Sequence, residues 1–207
     1  MHQDVFDQRK KDILSRADHS NKGSIDEPIR TLLGLINGKD DFYTTSSCSG
    51  RVRLVFEHAS GKKCDTEQLF VSHEPLSEDD QQRVIALVEA HAAGEEEPQG
   101  TRDDSAAGTL WLKMEAFIVH IACRDQGAAR RMLLALQAAG CKRAGIISLE
   151  QQPIIEAVGT ERIEALAGTC TWTLEKNAVQ ALLDAANARM LANRTRIAKL
   201  EKAIAAL

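Results

Sequence analysis

No stretch of the 207 residues approaches the roughly 20 apolar residues that a membrane span needs. The opening Met1-His2-Gln3-Asp4 also lacks the apolar core of a signal peptide, so a cytoplasmic protein is expected. Cysteine is sparse: Cys48, Cys64, Cys123, Cys141 and Cys170 are odd in number and never spaced C-x-x-C. That pattern excludes a disulfide frame and a zinc site and implies reduced thiols, with no metal expected. Positive charge is not in excess either. Lysine and arginine total 26 against 30 acids, net charge −4, so any RNA binding must use a local basic patch. No G-x-G-x-x-G follows a strand, which removes a dinucleotide-type phosphate loop. No G-x-S-x-G elbow and no internal repeat are present.

What remains is ordinary for a globular protein, 43% hydrophobic and 27% charged. Periodicity predicts helices over Val5–Arg16 and from Asp26 to Ile36, and another after Ser77. Asp125–Ala139 and about Glu175–Ala206 follow, the last a helix of roughly 45–50 Å. For the second helix, Ser24 and Asp26 compete as N-cap; Asp26 is preferred because it places Pro28 in the first turn. Strands are predicted on either side of Gly50, over Glu67–His73, Arg143–Leu149, Pro153–Val158 and Gly168–Leu174. Leu110–Cys123 is long enough for two strands or one kinked strand. Gly94–Gly108, with three consecutive glutamates, is expected to be a mobile acidic loop. Strands come in runs, so the predicted fold is α+β: one domain over 1–207, a mixed, largely antiparallel sheet, flanking helices and a long C-terminal helix.

The stretch from Asp41 to Leu54 holds the densest chemistry. Tyr43, Thr44, Thr45, Ser46, Ser47, Cys48 and Ser49 run into Gly50, after which Arg51 and Arg53 alternate with Val52 and Leu54. Hydroxyls, backbone N–H groups and two guanidiniums at one strand junction suit an anion or a carboxylate. The plainer reading is a glycine turn whose hydroxyls satisfy local backbone groups. Cys48 alternates away from its serine neighbours and is expected in the core.

Lys22-Gly23-Ser24-Ile25-Asp26-Glu27, followed by Phe42-Tyr43-Thr44-Thr45-Ser46-Ser47-Cys48-Ser49-Gly50-Arg51, resembles the signature of the wybutosine-synthesising tRNA methyltransferase family. This is the third enzyme of the eukaryotic pathway, with archaeal relatives. The likeness continues through Val71-Ser72-His73, Leu112 to Ile121, Gly140 to Ile147, Ala185-Ala186-Asn187 and the basic end of the last helix. It covers nearly the whole chain, the acidic loop excepted.

The resemblance implies methyl transfer from S-adenosylmethionine to nitrogen four of the tricyclic, aminocarboxypropyl-bearing base at position 37 of phenylalanine tRNA, by a fold outside the doubly wound class. It makes Asp26 and His120 the catalytic candidates, with His73 a weaker one. Asp26 equally fits a helix cap, and His120, in an apolar run, a core histidine. Ser47, Ser49, Gly50 and Arg51 become candidates for holding the carboxylate of cofactor or substrate, converging on one pocket. Tyr43 and Trp111 are stacking candidates or core residues. Lys22, Arg53, Arg194, Arg196 and Lys199 are the expected contacts to the anticodon arm, where the plain alternative is a solvated charged face. Two rivals stand beside this reading: a non-catalytic RNA-binding or scaffolding module, and a hydrolase using Ser47 or Cys48 with His120. Sequence offers no group to orient His120 for the latter.

Overall fold

The computed structural model describes residues 2–15, 25–58, 66–92, 108–169 and 171–207. Helices α1 (His2–Leu14) and α2 (Glu27–Asn37) come first, then strands β1 (Phe42–Cys48), β2 (Arg51–His58) and β3 (Thr66–Ser72). Next are α3 (Glu78–Ala92), β4 (Gly108–Glu115), β5 (Ile118–Cys123) and α4 (Gln126–Ala138). The chain ends with β6 (Ala144–Ser148), β7 (Ile154–Val158), β8 (Ile163–Thr169), β9 (Trp172–Thr173) and α5 (Lys176–Ala205). No helix is long and apolar enough to cross a membrane among the described residues.

The chain divides into two units, Met1–Gly50 with Ala116–Thr160 and Ala192–Leu207, and Arg51–Glu115 with Glu161–Leu191. In the first, the antiparallel sheet runs β1-β5-β7-β6. Val119, Ile121 and Cys123 of β5 and Ile155 and Ala157 of β7 alternate onto one face. Helix α2 covers that face with Ile29, Leu32, Leu33 and Ile36, a stripe at helical spacing behind a first-turn proline. Burying four such side chains is worth about 6–12 kcal/mol gross, before chain entropy is charged against it. Helix α4 adds Met132 and Leu136, and the end of α5 adds Ile197, Leu200 and Ile204. On the opposite face α1 covers one end, where Phe6 packs on Tyr43 and Ala122.

The second unit has its own sheet, β3-β2-β4-β8-β9, again antiparallel throughout. Val52, Leu54 and Phe56 meet Leu110, Leu112 and Met114 beneath Val84, Ile85 and Val88 of α3. Helix α5 contributes Val179, Leu183, Ala186 and Met190 there. The α+β class and antiparallel pairing therefore agree with expectation, spread over two sheets.

Leu110–Cys123 resolves into two strands, parted at Ala116-Phe117. The predicted strand Gly168–Leu174 does not form as one piece. Its first two residues end β8, and the chain turns back into the two-residue β9, pairing Gly168 with Thr173. A Cβ on Gly168 would come within 2.7 Å of Thr173, so glycine permits the close approach that the alternation of threonines concealed. Strand β8 was missed because Glu164-Ala165-Leu166-Ala167 has little β-propensity; pairing with β4 imposes the strand.

Candidate active site

The end of β1 is fixed by a chain of buried hydrogen bonds. Ser49 donates to Asp26 Oδ2 twice, from its backbone N–H at 2.9 Å and from Oγ at 3.1 Å. The Ser49 carbonyl accepts from Asn193 Nδ2 at 2.7 Å, and Asn193 Oδ1 accepts the Phe117 N–H at 2.9 Å. The Phe117 carbonyl in turn accepts from the Gly159 N–H at 3.0 Å. Ser49 and Asn193 are fully buried and Asp26 is 7% exposed. A carboxylate in such a place is tolerable because main-chain and hydroxyl donors replace its water. The next residue, Gly50, has φ +99°, a left-handed conformation that a side chain would strain.

Asp26 thus occupies the N-cap position by its backbone, but its side chain makes no cap bond. It reaches instead to a serine 23 residues on, a partner that local spacing cannot disclose.

A second arrangement lies across the sheet of the same unit. Ser46 on β1 stands opposite His120 on β5, and His120 opposite Glu156 on β7, which stands opposite Gly145 on β6. Directly paired residues share a face, here the face away from Val119 and Ile121. His120 Nε2 lies 3.0 Å from Glu156 Oε2, the side chains 26% and 36% exposed. An ionised carboxylate only accepts, so Nε2 is the donor of this contact, and in the neutral imidazole that arrangement leaves the lone pair on Nδ1. His120 is therefore a half-buried, paired histidine, not a core one. Ser47 stands opposite Val119, on the face away from His120, and Cys48 opposite Ile118, so neither is directly paired with His120 as the hydrolase reading would favour. Cys48 is half-buried and not in the core, because the register of β1 shifts between Thr44 and Ser46. Burial pushes the Cys123 thiol up to about 12, so it is no nucleophile at neutral pH.

In the second unit the guanidiniums have protein partners. Arg51 Nε donates to Glu115 Oε2 at 2.6 Å and Arg53 Nη2 to Oε1 at 3.0 Å. Arg53 Nε is buried with no hydrogen-bond partner among the described residues. Lys113 donates to Glu57 at 2.8 Å and Glu164 at 3.1 Å. Burial by itself would lower the Lys113 pKa, but the hydrogen bonds and negative charges of the two glutamates together outweigh it and the net shift is upward. Its ammonium also sits 5.2 Å from the centre of the Trp111 ring, covering one face, and the indole N–H donates to Thr109.

The structure brings Asp26 together with Ser49, and Arg51 with Arg53. It leaves Ser47 exposed on β1, and places Ser49 and Arg51 in different units. Tyr43, expected as a stacking platform or a core residue, is core: it is 1% exposed, packed on Phe6, with its hydroxyl bonded to Gln152. Arg196 donates to the Gly140 carbonyl at 3.1 Å, closing the turn after α4. Arg194 is half-buried and Lys199 exposed. Lys22 and nearly all of the acidic loop lie outside the described residues.

Sequence reasoning missed Asn193, Glu156 and Glu115. Each leaves a signal. The buried stripe of α5 runs 179, 183, 186, 190, 193, 197, 200, 204, alternating steps of four and three, and Asn193 is its one polar member. Glu156 is a lone charge inside the apolar Ile154–Val158. Glu115 closes the alternation of β4 directly opposite Arg51.

Two antiparallel sheets with helices, and no Gly-rich phosphate loop, describe an α+β protein unlike a doubly wound nucleotide binder. The family model for methyltransferase TYW3 matches residues 8–206, and the chain belongs to that family. It is 30% identical to the tRNA wybutosine-synthesizing protein 3 homolog of Xenopus laevis, over 98% of this chain and 75% of that one. It is 31% identical to the tRNA(Phe) 7-((3-amino-3-carboxypropyl)-4-demethylwyosine(37)-N(4))-methyltransferase of Archaeoglobus fulgidus, over 98% and 95% of the respective chains. A solved Pyrococcus horikoshii protein superposes with a TM-score of 0.79 at 25% identity, covering 99% of this chain and 98% of its own.

Proposed function

We propose that this protein methylates nitrogen four of the demethylwyosine-type base at position 37 of phenylalanine tRNA, using S-adenosylmethionine. The observation that carries the reading is the likeness to the archaeal enzyme of that name, which extends over almost the full length of both chains. A cytoplasmic setting fits the thiols of Cys48, Cys123 and Cys141, none of which is in a disulfide.

The residues at the end of β1 suit the amino-acid end of the cofactor. The positive φ of Gly50 disfavours a Cβ at the turn, and Ser47, three residues earlier on β1, is exposed. The Asp26–Ser49–Asn193 chain fixes that strand end, so the exposed side chains that precede it on β1 are held in place. When bound, S-adenosylmethionine supplies an electrophilic methyl group on its sulfonium. The protein's part is positioning, which provides most of the rate for an in-line displacement. Arg51 and Arg53 with Glu115 form a triad carrying one net positive charge, suited to an anionic substrate group. Exposed Lys199 and neighbouring cations of α5 supply the local positive charge that an acidic protein needs against a phosphate backbone.

Calorimetric titration with S-adenosylmethionine, followed by transfer of labelled methyl to tRNA carrying the demethyl base, tests this. Micromolar cofactor binding and incorporation at position 37 are expected. A protein that binds the tRNA but neither the cofactor nor its methyl group would be a scaffold of the same fold.

A further inference from the structure

We propose that Glu156 is a positioning residue that sets His120 in the tautomer needed to accept the proton released by methyl transfer. The inference rests on the function proposed above. A demethyl nitrogen carries hydrogen where its product carries methyl. Each turnover therefore replaces an N–H bond by an N–C bond and turns the donor's sulfonium into a neutral thioether, and one proton must leave the base. Imidazole suits that transfer at neutral pH.

The geometry meets the requirement in three respects. The Glu156 carboxylate, 3.0 Å from His120 Nε2, accepts that nitrogen's proton and leaves Nδ1 as the basic site. Among the described residues nothing else is hydrogen-bonded to the ring. Once Nδ1 takes a proton, the imidazolium faces a carboxylate already in contact, so the charge formed is matched without rearrangement. The third respect is access. The row on this face continues from Ser46, exposed on one side, to Gly145 on the other, where an added Cβ would meet nothing within 4 Å. Side chains of the row are thus only half covered, as a group that meets a substrate must be. A half-exposed His–Glu pair kept only for stability would contribute little to folding, and its loss would leave turnover unchanged.

The test uses protein labelled with nitrogen-15 at histidine, with the His120 signals assigned by their loss in His120→Gln. Long-range proton–nitrogen correlation at neutral pH should show His120 protonated at Nε2. Glu156→Ala should convert this to a mixture of tautomers and lower kcat by about 10- to 100-fold, with KM for tRNA within about twofold. Glu156→Gln, whose amide oxygen still accepts from Nε2–H, should keep more of both, and it carries the test if the alanine variant fails to fold. A Glu156→Ala protein that loses the tautomer but keeps the parent's kcat would make the pair structural and overturn the proposal. So would a parent His120 protonated at Nδ1. A parent that shows the Nε2 tautomer yet transfers no methyl group would sink the function itself, and with it the role assigned here, while leaving the pair's geometry intact.

Discussion

The end of β1 in the first unit and the β2–β4 face of the second handle polar groups in opposite ways. The first buries them: Asp26, Ser49 and Asn193 are sealed in and tied to main chain, and each bond runs between distant parts of the sequence. The second keeps its charges on one face of a sheet, where Arg51, Arg53 and Glu115, and Lys113 with Glu57 and Glu164, are only partly covered. Buried hydrogen bonds fix one geometry, because the alternative is an unsatisfied group in a low-dielectric interior. Half-exposed ion pairs constrain little, since water competes for both partners. The first arrangement therefore serves precision, the second charge.

The largest test of that contrast is Asn193→Ala. It strands the Ser49 carbonyl and the Phe117 N–H in a dry interior, and should cost about 2–4 kcal/mol. Urea unfolding at unchanged slope measures it; a loss below about 1 kcal/mol would mean that the chain of bonds is not what holds the strand end. Asp26→Asn keeps the shape and an acceptor oxygen but removes the charge. A loss of about 1–2 kcal/mol is expected, with a clear drop in cofactor affinity by calorimetry.

Arg51→Ala should do the reverse. Arg51 and Glu115 are each about one-third exposed, so stability should fall by less than about 1 kcal/mol while methyl transfer drops at least tenfold. Matching losses in melting temperature and activity would make Arg51 a structural residue and erase the distinction between the units. On α5 the same logic divides two cations. Arg196→Gln should cost a few tenths of a kcal/mol through the freed Gly140 carbonyl, and Lys199→Gln nothing. If both touch phosphate, each removes a little under one unit from the slope of log affinity against log salt. A triple Arg194, Arg196 and Lys199 variant with the parent's slope would move the RNA surface elsewhere.

The smallest effect concerns thiols. Cys48 should be alkylated before Cys123 and Cys141 when tryptic peptides are followed by mass spectrometry. Because the folded Cys123 pKa is raised above the unfolded value of 9.0 to about 12, its contribution is complete below pH 9 and is lost as pH climbs toward 12. Cys123→Ala should flatten that alkaline decline in stability; an unchanged profile would assign the decline to another group.

Periodicity by itself determined the helices: the predicted Asp125–Ala139 became Gln126–Ala138, and about Glu175–Ala206 became Lys176–Ala205. It also drew the strands flanking Gly50, because alternation and helical stripes record which side chains leave water. The residue signature carried the family for the same reason that it is readable at all: it is contiguous. Tertiary structure alone decided what those residues touch. Asp26 was legible as a helix start and not as the anchor of Ser49; His120 was legible as a histidine in an apolar run and not as the partner of Glu156, 36 residues away. Tyr43 took the core because α1 brought Phe6 onto it. A hydrogen bond between distant strands depends on sheet order and register, and these follow from burying every apolar face at once, a condition that no local window of sequence contains.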